Sequence, residues 1–183
     1  MAVRGIVGNA KDVNHIVMIA AAQRLPVLVL DCANCANPHA YPDVFMDKLE
    51  SVYVIEIELV YKLRDVLKTA FRVASELRCS RIVITTFHRL FHYQDALENK
   101  DVYEHAWELI RDLGKTHDVL VAVHPLQRSQ AQRYCDELVE VGEMKPIVKG
   151  IEFGLGAGRT GGTPHPGSVR RRATRVEAAK EAE

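Results

Sequence analysis

Val27-Leu28-Val29-Leu30-Asp31-Cys32-Ala33-Asn34 is the stretch that decides the fold. Its first four side chains are apolar with no alternation, and the run stops at a carboxylate. A strand with one wet face alternates apolar and polar residues; a strand covered by helices on both faces does not. This run therefore reads as a buried parallel strand. The same pattern recurs at Val52–Ile57, which ends near Glu58. It recurs at Arg81-Ile82-Val83-Ile84, followed by Thr85-Thr86, and at Val119–Val123, followed by His124-Pro125.

The segments between these runs have helical periodicity. Leu59, Val60, Leu63, Val66, Leu67, Ala70, Ala74 and Leu77 share one helix face, as do Val102, Ala106, Leu109, Ile110 and Leu113. Lys11–Ala22 reads as the first helix. Strands alternating with helices imply βαβ crossovers, a mainly parallel central sheet and helices on both faces, a three-layer α/β/α domain. Such sheets bind ligands beyond the carboxyl ends of their strands. This makes Asp31, Thr85, Thr86 and His124 the candidate strand-end site.

With 183 residues the chain is long enough for one domain with a proper core. Lys plus Arg equals Asp plus Glu at 24 each, so any attraction to nucleic acid must come from a local patch. No apolar run reaches the roughly 18 residues of a membrane span. Asn9, Lys11, Asp12 and Asn14 follow the N-terminus too soon for a signal-peptide core. No membrane association and a cytoplasmic location are expected. The four cysteines then read as reduced thiols rather than disulfides.

Composition changes near residue 150. Residues 1–150 form the expected α/β domain, and residues 151–183 read as a flexible Gly/Arg-rich tail. The tail carries Arg159, Arg170, Arg171, Arg172 and Arg175, with no acidic residue between Glu152 and Glu177. Glycine-spaced arginines suit nonspecific contact with nucleic-acid phosphates. The bland reading of the same stretch is a solubilising end.

Residues 5–12 read Gly-Ile-Val-Gly-Asn-Ala-Lys-Asp. A phosphate loop has the form G-x-x-x-x-G-K-[ST], in which backbone N–H groups, a Lys and a metal-binding hydroxyl surround phosphate. Gly5, Gly8, Asn9, Lys11 and Asp12 are therefore the candidate nucleotide-binding residues. Ala10 replaces the second required glycine, and Asp12 replaces the hydroxyl.

The order of these features over about Met1–Pro125 resembles the core of archaeal RadA and other RecA-like ATPases. The degenerate loop comes first; residues 27–34 look like the strand that ends in that family's Asp-x-Glu. Residues 81–92 look like the Walker B strand and the residues after it, and residues 119–123 look like the sensor strand. The resemblance implies a RecA-like fold and a tendency to pair with like domains or another protein partner. It also places three departures on the chemistry. Asp12 stands at the Mg²⁺-binding hydroxyl. Ala33 stands at the glutamate that activates water. Thr85 stands at the Walker B aspartate. Phosphoryl transfer depends on positioning and electrostatic stabilisation, so the resemblance implies no hydrolysis, with ATP binding possible through Lys11 and no other cofactor.

Cys32-Ala33-Asn34-Cys35 is a C-x-x-C at a strand end, with His39 four residues on. With His124 it could hold a tetrahedral metal, or act as a redox dithiol; buried inert cysteines are the plainer reading. His88 and His92 lie four apart, but Arg89 occupies the acidic position of a zinc-protease motif. Leu126–Gly150 contains Arg128 and Arg133 but also Asp136, Glu137, Glu140 and Glu143, which argues against a DNA groove there. The sequence reading is thus a non-hydrolysing recombination or repair accessory protein that binds a protein partner or nucleic acid. The alternatives are an ATP-sensing regulator and a metal or thiol protein.

Overall fold

A computed structural model describes residues 1–37, 41, 45, 48–91 and 96–142, with the side chains of 96–98 excepted. All the described residues fall in one unit, Met1–Ile147, and Val148–Glu183 lies outside it. The tail arginines and His39 lie outside the described residues.

Among the described residues six strands form one sheet: β1 (Val3–Val7), β2 (Val27–Asp31), β3 (Val52–Glu56), β4 (Arg81–Ile84), β5 (Asp118–Val123) and β6 (Glu137–Glu140). Their spatial order is β3-β2-β4-β5-β1-β6, and every pairing is parallel. The sheet is thus wholly parallel where the sequence predicts a mainly parallel one. The central strands are buried along their whole length, as their unbroken apolar runs require.

Among the described residues four α-helices cover the two faces: α1 (Ala10–Ala21), α2 (Val60–Glu76), α3 (Ala96–Gly114) and α4 (Arg128–Tyr134). Side chains alternate across each strand. Val27, Val29, Val83, Leu120 and Ala122 pack with Val13, Val17, Met18 and Ala21 of α1. Leu28, Leu30, Ile82, Ile84, Val119 and Val121 face the other way, onto Leu63 and Leu67 of α2, Trp107 and Ile110 of α3, and Ala131 of α4. The domain is therefore a three-layer α/β/α structure. No helix among the described residues is long and apolar enough to cross a membrane.

Helix α4 and strand β6 fill the stretch read from sequence only as a charged segment after the sensor strand. β6 adds to the edge of the sheet beside β1, with Leu138 opposite Gly5. A Cβ on Gly5 would lie 2.6 Å from Leu138 Cδ1 and 3.1 Å from Cys135 Sγ. Gly5 is thus a strand residue whose missing side chain makes room for β6.

At the amino ends of the strands, Asp118 gathers three guanidinium groups. Arg81 Nε donates to its Oδ2 at 2.8 Å, Arg4 donates to both oxygens at 2.8 and 2.9 Å, and Arg24 reaches it at 3.2 Å. Arg81 also donates to the carbonyl of Ala20 at the end of α1. This cluster pins α1, β1, β4 and β5 together at the end of the sheet opposite the candidate site.

Candidate functional site

Because all strands are parallel, Val7, Asp31, Ile84 and Val123 bring their following residues to one end of the sheet. Between β1 and α1 there are only two residues, Gly8 and Asn9. The Asn9 side chain accepts from the Lys11 N–H at 3.1 Å, which caps the helix with its own chain. Asp12 places a carboxylate in the first turn, where the helix dipole favours it. The Gly8 N–H donates to the Val123 carbonyl at 3.1 Å, and a Cβ on Gly8 would meet Val13 Cγ1 at 2.9 Å.

The local geometry of these residues differs from that of a phosphate cradle. A phosphate cradle needs several convergent backbone N–H groups in an open loop. Here Gly5 lies inside β1, Gly8 is committed to the sheet, and Asn9 occupies a helix-end donor. Lys11 is exposed; it lines a cavity of about 350 Å³ with Asp12, His15, Cys35 and Tyr41. Asp12 sets a negative charge beside Lys11 in that cavity.

Asp31 and Thr85 are brought into direct contact. Asp31 is 4% exposed, and its carboxylate accepts from the N–H groups of Ala33 (3.2 Å), Cys35 (2.9 Å) and Ala36 (2.8 Å). The Thr85 hydroxyl donates to Asp31 Oδ1 at 3.0 Å and accepts from the Cys32 and Ala33 N–H groups at 2.7 and 3.2 Å. A carboxylate that folds the next residues around itself does for this loop what a capping residue does for a helix. Thr86 is held separately. Its N–H donates to Asn14 Oδ1, and the Asn14 amide donates to its hydroxyl, both at 2.9 Å.

His124 ends β5 and caps the short 3-10 turn Pro125–Gln127, with its Nδ1 accepting from the Leu126 N–H at 3.3 Å. Its ring stacks on His88, with centroids 3.9 Å apart and planes at 16°. The structure therefore joins Asp31 to Thr85 and the C-x-x-C loop, Thr86 to Asn14, and His124 to His88. Asn14 was missed in the sequence, although it sits beside Val13, Val17 and Met18 on the buried face of α1. A polar residue inside an apolar stripe was the available signal.

Cys32 is buried and Cys35 is half-buried; both are free thiols. Burial, then the Asp31 charge, pushes the Cys32 thiol up, and Cys35 is pushed up to about 12 by burial, the Asp31 charge and its hydrogen bond to Asp31. Among the described residues no three or more His, Cys, Asp or Glu side chains are grouped to hold a metal. Thiolate is the form that attacks electrophiles. At pH 8, iodoacetamide is therefore expected to alkylate Cys35 at least about a hundredfold more slowly in the folded chain than in denaturant. Mass spectrometry of a time course measures this, and equal rates would contradict the described thiol environment.

No family model matches the chain, and no curated protein matches it. Among solved structures it is similar to the crystal structure of a KaiC-like protein from the hyperthermophilic archaeon Pyrococcus horikoshii OT3. The identity is 12%, the match covers 67% of this chain and 60% of that one, and the TM-score is 0.48.

Proposed function

We propose that this chain is a non-hydrolysing RecA-like domain that acts as an accessory module in DNA recombination or repair. In this reading it binds single-stranded nucleic acid through Arg159, Arg170, Arg171, Arg172 and Arg175, and pairs with a protein partner or a second copy through its folded domain. One observation carries the reading. The polar groups at the strand ends, where an ATPase of this architecture would keep its reacting groups free, are spent on each other. Asp31 and Thr85 fold the Cys32–Ala36 loop, Asn14 and Thr86 bond reciprocally, and Asn9 caps its own helix. Hydrolysis needs a base and a metal-holding carboxylate directed at the nucleotide. A saturated carboxylate buried under its own loop serves neither role.

The arginine tail supports the nucleic-acid half of the reading. Each phosphate neutralised on a single strand contributes about 0.7 to the slope of log affinity against log salt. Fluorescence anisotropy with a labelled single-stranded oligonucleotide at low salt tests it in the full chain. Replacing Arg170, Arg171 and Arg172 by Ala is expected to weaken binding more than about tenfold and to lower the salt slope by about 2. Binding that is absent, or unchanged by the substitutions, would remove nucleic acid from the proposal.

A second reading, a nucleotide sensor, is supported by the cavity that Lys11 lines. Asp12 and the two-residue β1–α1 link weigh against it. In calorimetry, saturable ATP binding abolished by Lys11→Ala would favour the sensor over the accessory module.

A further inference from the structure

The arginine cluster at the amino ends of the strands holds more positive charge than its one carboxylate balances. The Arg81 side chain is almost wholly buried, and its Nε and Nη2 each stand 2.8 Å from Asp118 Oδ2. That buried pair is neutral by itself. Arg4 and Arg24 are then surplus, with Arg4 Nη2 2.9 Å and Arg24 Nη1 3.2 Å from the same oxygen. Two like charges drawn to one atom repel each other, and partial burial screens that repulsion less than bulk water does. Both surplus side chains also reach solvent, at 35% and 59% exposure.

Arg4 hydrogen-bonds through Nη2 alone and Arg24 through Nη1 alone. Among the described residues, the Nε and the second Nη of each therefore have no acceptor. A guanidinium fork matches the oxygens of a phosphate, and a fork already held in place loses little freedom on binding. Asp118 does the holding, and its oxygens are covered by these N–H groups rather than left facing an incoming anion. Arg78, exposed in the turn between α2 and β4, adds a cation at the same end of the sheet. Acidic side chains lie toward the β6 edge. Glu137 is opposite Arg4 in register, and the Asp136 carboxylate accepts from the Val3 N–H at 2.7 Å. The cationic face therefore runs from Arg4 away from that edge, toward Arg24.

We propose that Arg4 and Arg24 form a second contact surface for single-stranded nucleic acid, on the folded domain, each neutralising one backbone phosphate. The inference rests on the nucleic-acid half of the proposed function, but it uses no residue of the arginine tail. No aromatic side chain belongs to the cluster, so the surface reads the backbone and not the bases. With the chain's net charge at zero, the attraction is local and falls steeply as salt rises.

The test is fluorescence anisotropy of the full chain with a labelled single-stranded oligonucleotide across a salt series. Four chains are compared: wild type, Arg4→Gln with Arg24→Gln, Arg170, Arg171 and Arg172 replaced by Ala, and all five substitutions together. The Arg4 and Arg24 pair should lower the slope of log affinity against log salt by about 1.4, at about 0.7 for each phosphate lost. Its effect should add to that of the tail substitutions. Arg24→Lys keeps the charge and should keep most of the slope. Arg24 is mostly exposed, so Arg24→Gln alone should hold the wild-type thermal midpoint and lower the slope by about 0.7. That single variant carries the test if the double one fails to fold. A slope lowered by the tail substitutions and untouched by Arg24→Gln would overturn this inference and leave the proposed function standing. A slope lowered by Arg24→Gln and untouched in the tail variant would support this surface and remove the tail. No binding by the wild type at low salt would overturn both.

Discussion

Asp31→Ala is expected to destabilise the domain by roughly 3 kcal/mol, since it leaves buried donors without an acceptor. The carboxylate accepts from three backbone N–H groups and from Thr85, and it is almost wholly buried. Bonds to a charged acceptor are each stronger than neutral ones, but water entering the vacated loop recovers part of the loss. For a domain of this size the thermal midpoint should fall by about 6–12 °C. Asp31→Asn keeps the shape and one acceptor oxygen, so about half the effect is expected. Thr85→Val removes a donor to Asp31 and the acceptor for Cys32 and Ala33, so the two positions should be coupled rather than additive. Urea unfolding of the single and double variants measures this. A loss below about 0.5 kcal/mol for Asp31→Ala, the range of ordinary surface changes, would show that the carboxylate does not hold the loop.

Asp118→Ala should cost more, about 3–5 kcal/mol, because it strands a buried cation. The Arg81 side chain is 6% exposed and faces Asp118, whose own side chain is 12% exposed. Arg4 and Arg24 are wetter, at 35% and 59%, and can return to water. Replacing Arg81 and Asp118 together by Leu should recover much of the loss, since a buried pair is often no better than packed apolar groups. The same cluster fixes a pH dependence. Burial raises the Asp118 pKa, but the hydrogen bonds and charges of Arg81 and Arg4 outweigh it and leave it below the ordinary value. A depressed folded-state pKa means the stabilisation is complete above the unfolded-state value near 3.9 and is lost as pH falls through the folded value. Acid unfolding below about pH 4 should therefore be shallower in Asp118→Asn than in the wild type. Superimposable acid limbs would contradict this assignment.

The fold was legible where burial leaves an unambiguous mark. Val27–Leu30 and Val119–Val123 are covered on both faces, so their sequences carry no polar residue to confuse the reading. Strand β6 was not legible. Glu137-Leu138-Val139-Glu140 is an exposed edge, and its charge belongs to solvent rather than to a missing strand. Gly5 admits two readings. The same glycine suits a phosphate loop and a strand pressed by Leu138, and one sequence does not distinguish flexibility from lack of room. At the candidate site, Asp31 and Thr85 were visible as strand-end polar residues. Their mutual saturation was not, because it depends on the path of the Cys32–Ala36 loop.

In the proposed function the strand-end groups are structural and the chain does not turn over ATP. Release of phosphate from Mg²⁺-ATP, with and without single-stranded DNA, decides this when wild type and Lys11→Ala are compared. No release above the protein-free rate is expected from either, with or without DNA. Turnover in the wild type that Lys11→Ala abolishes would contradict the proposal and return the β1–α1 link to the role of a working phosphate loop.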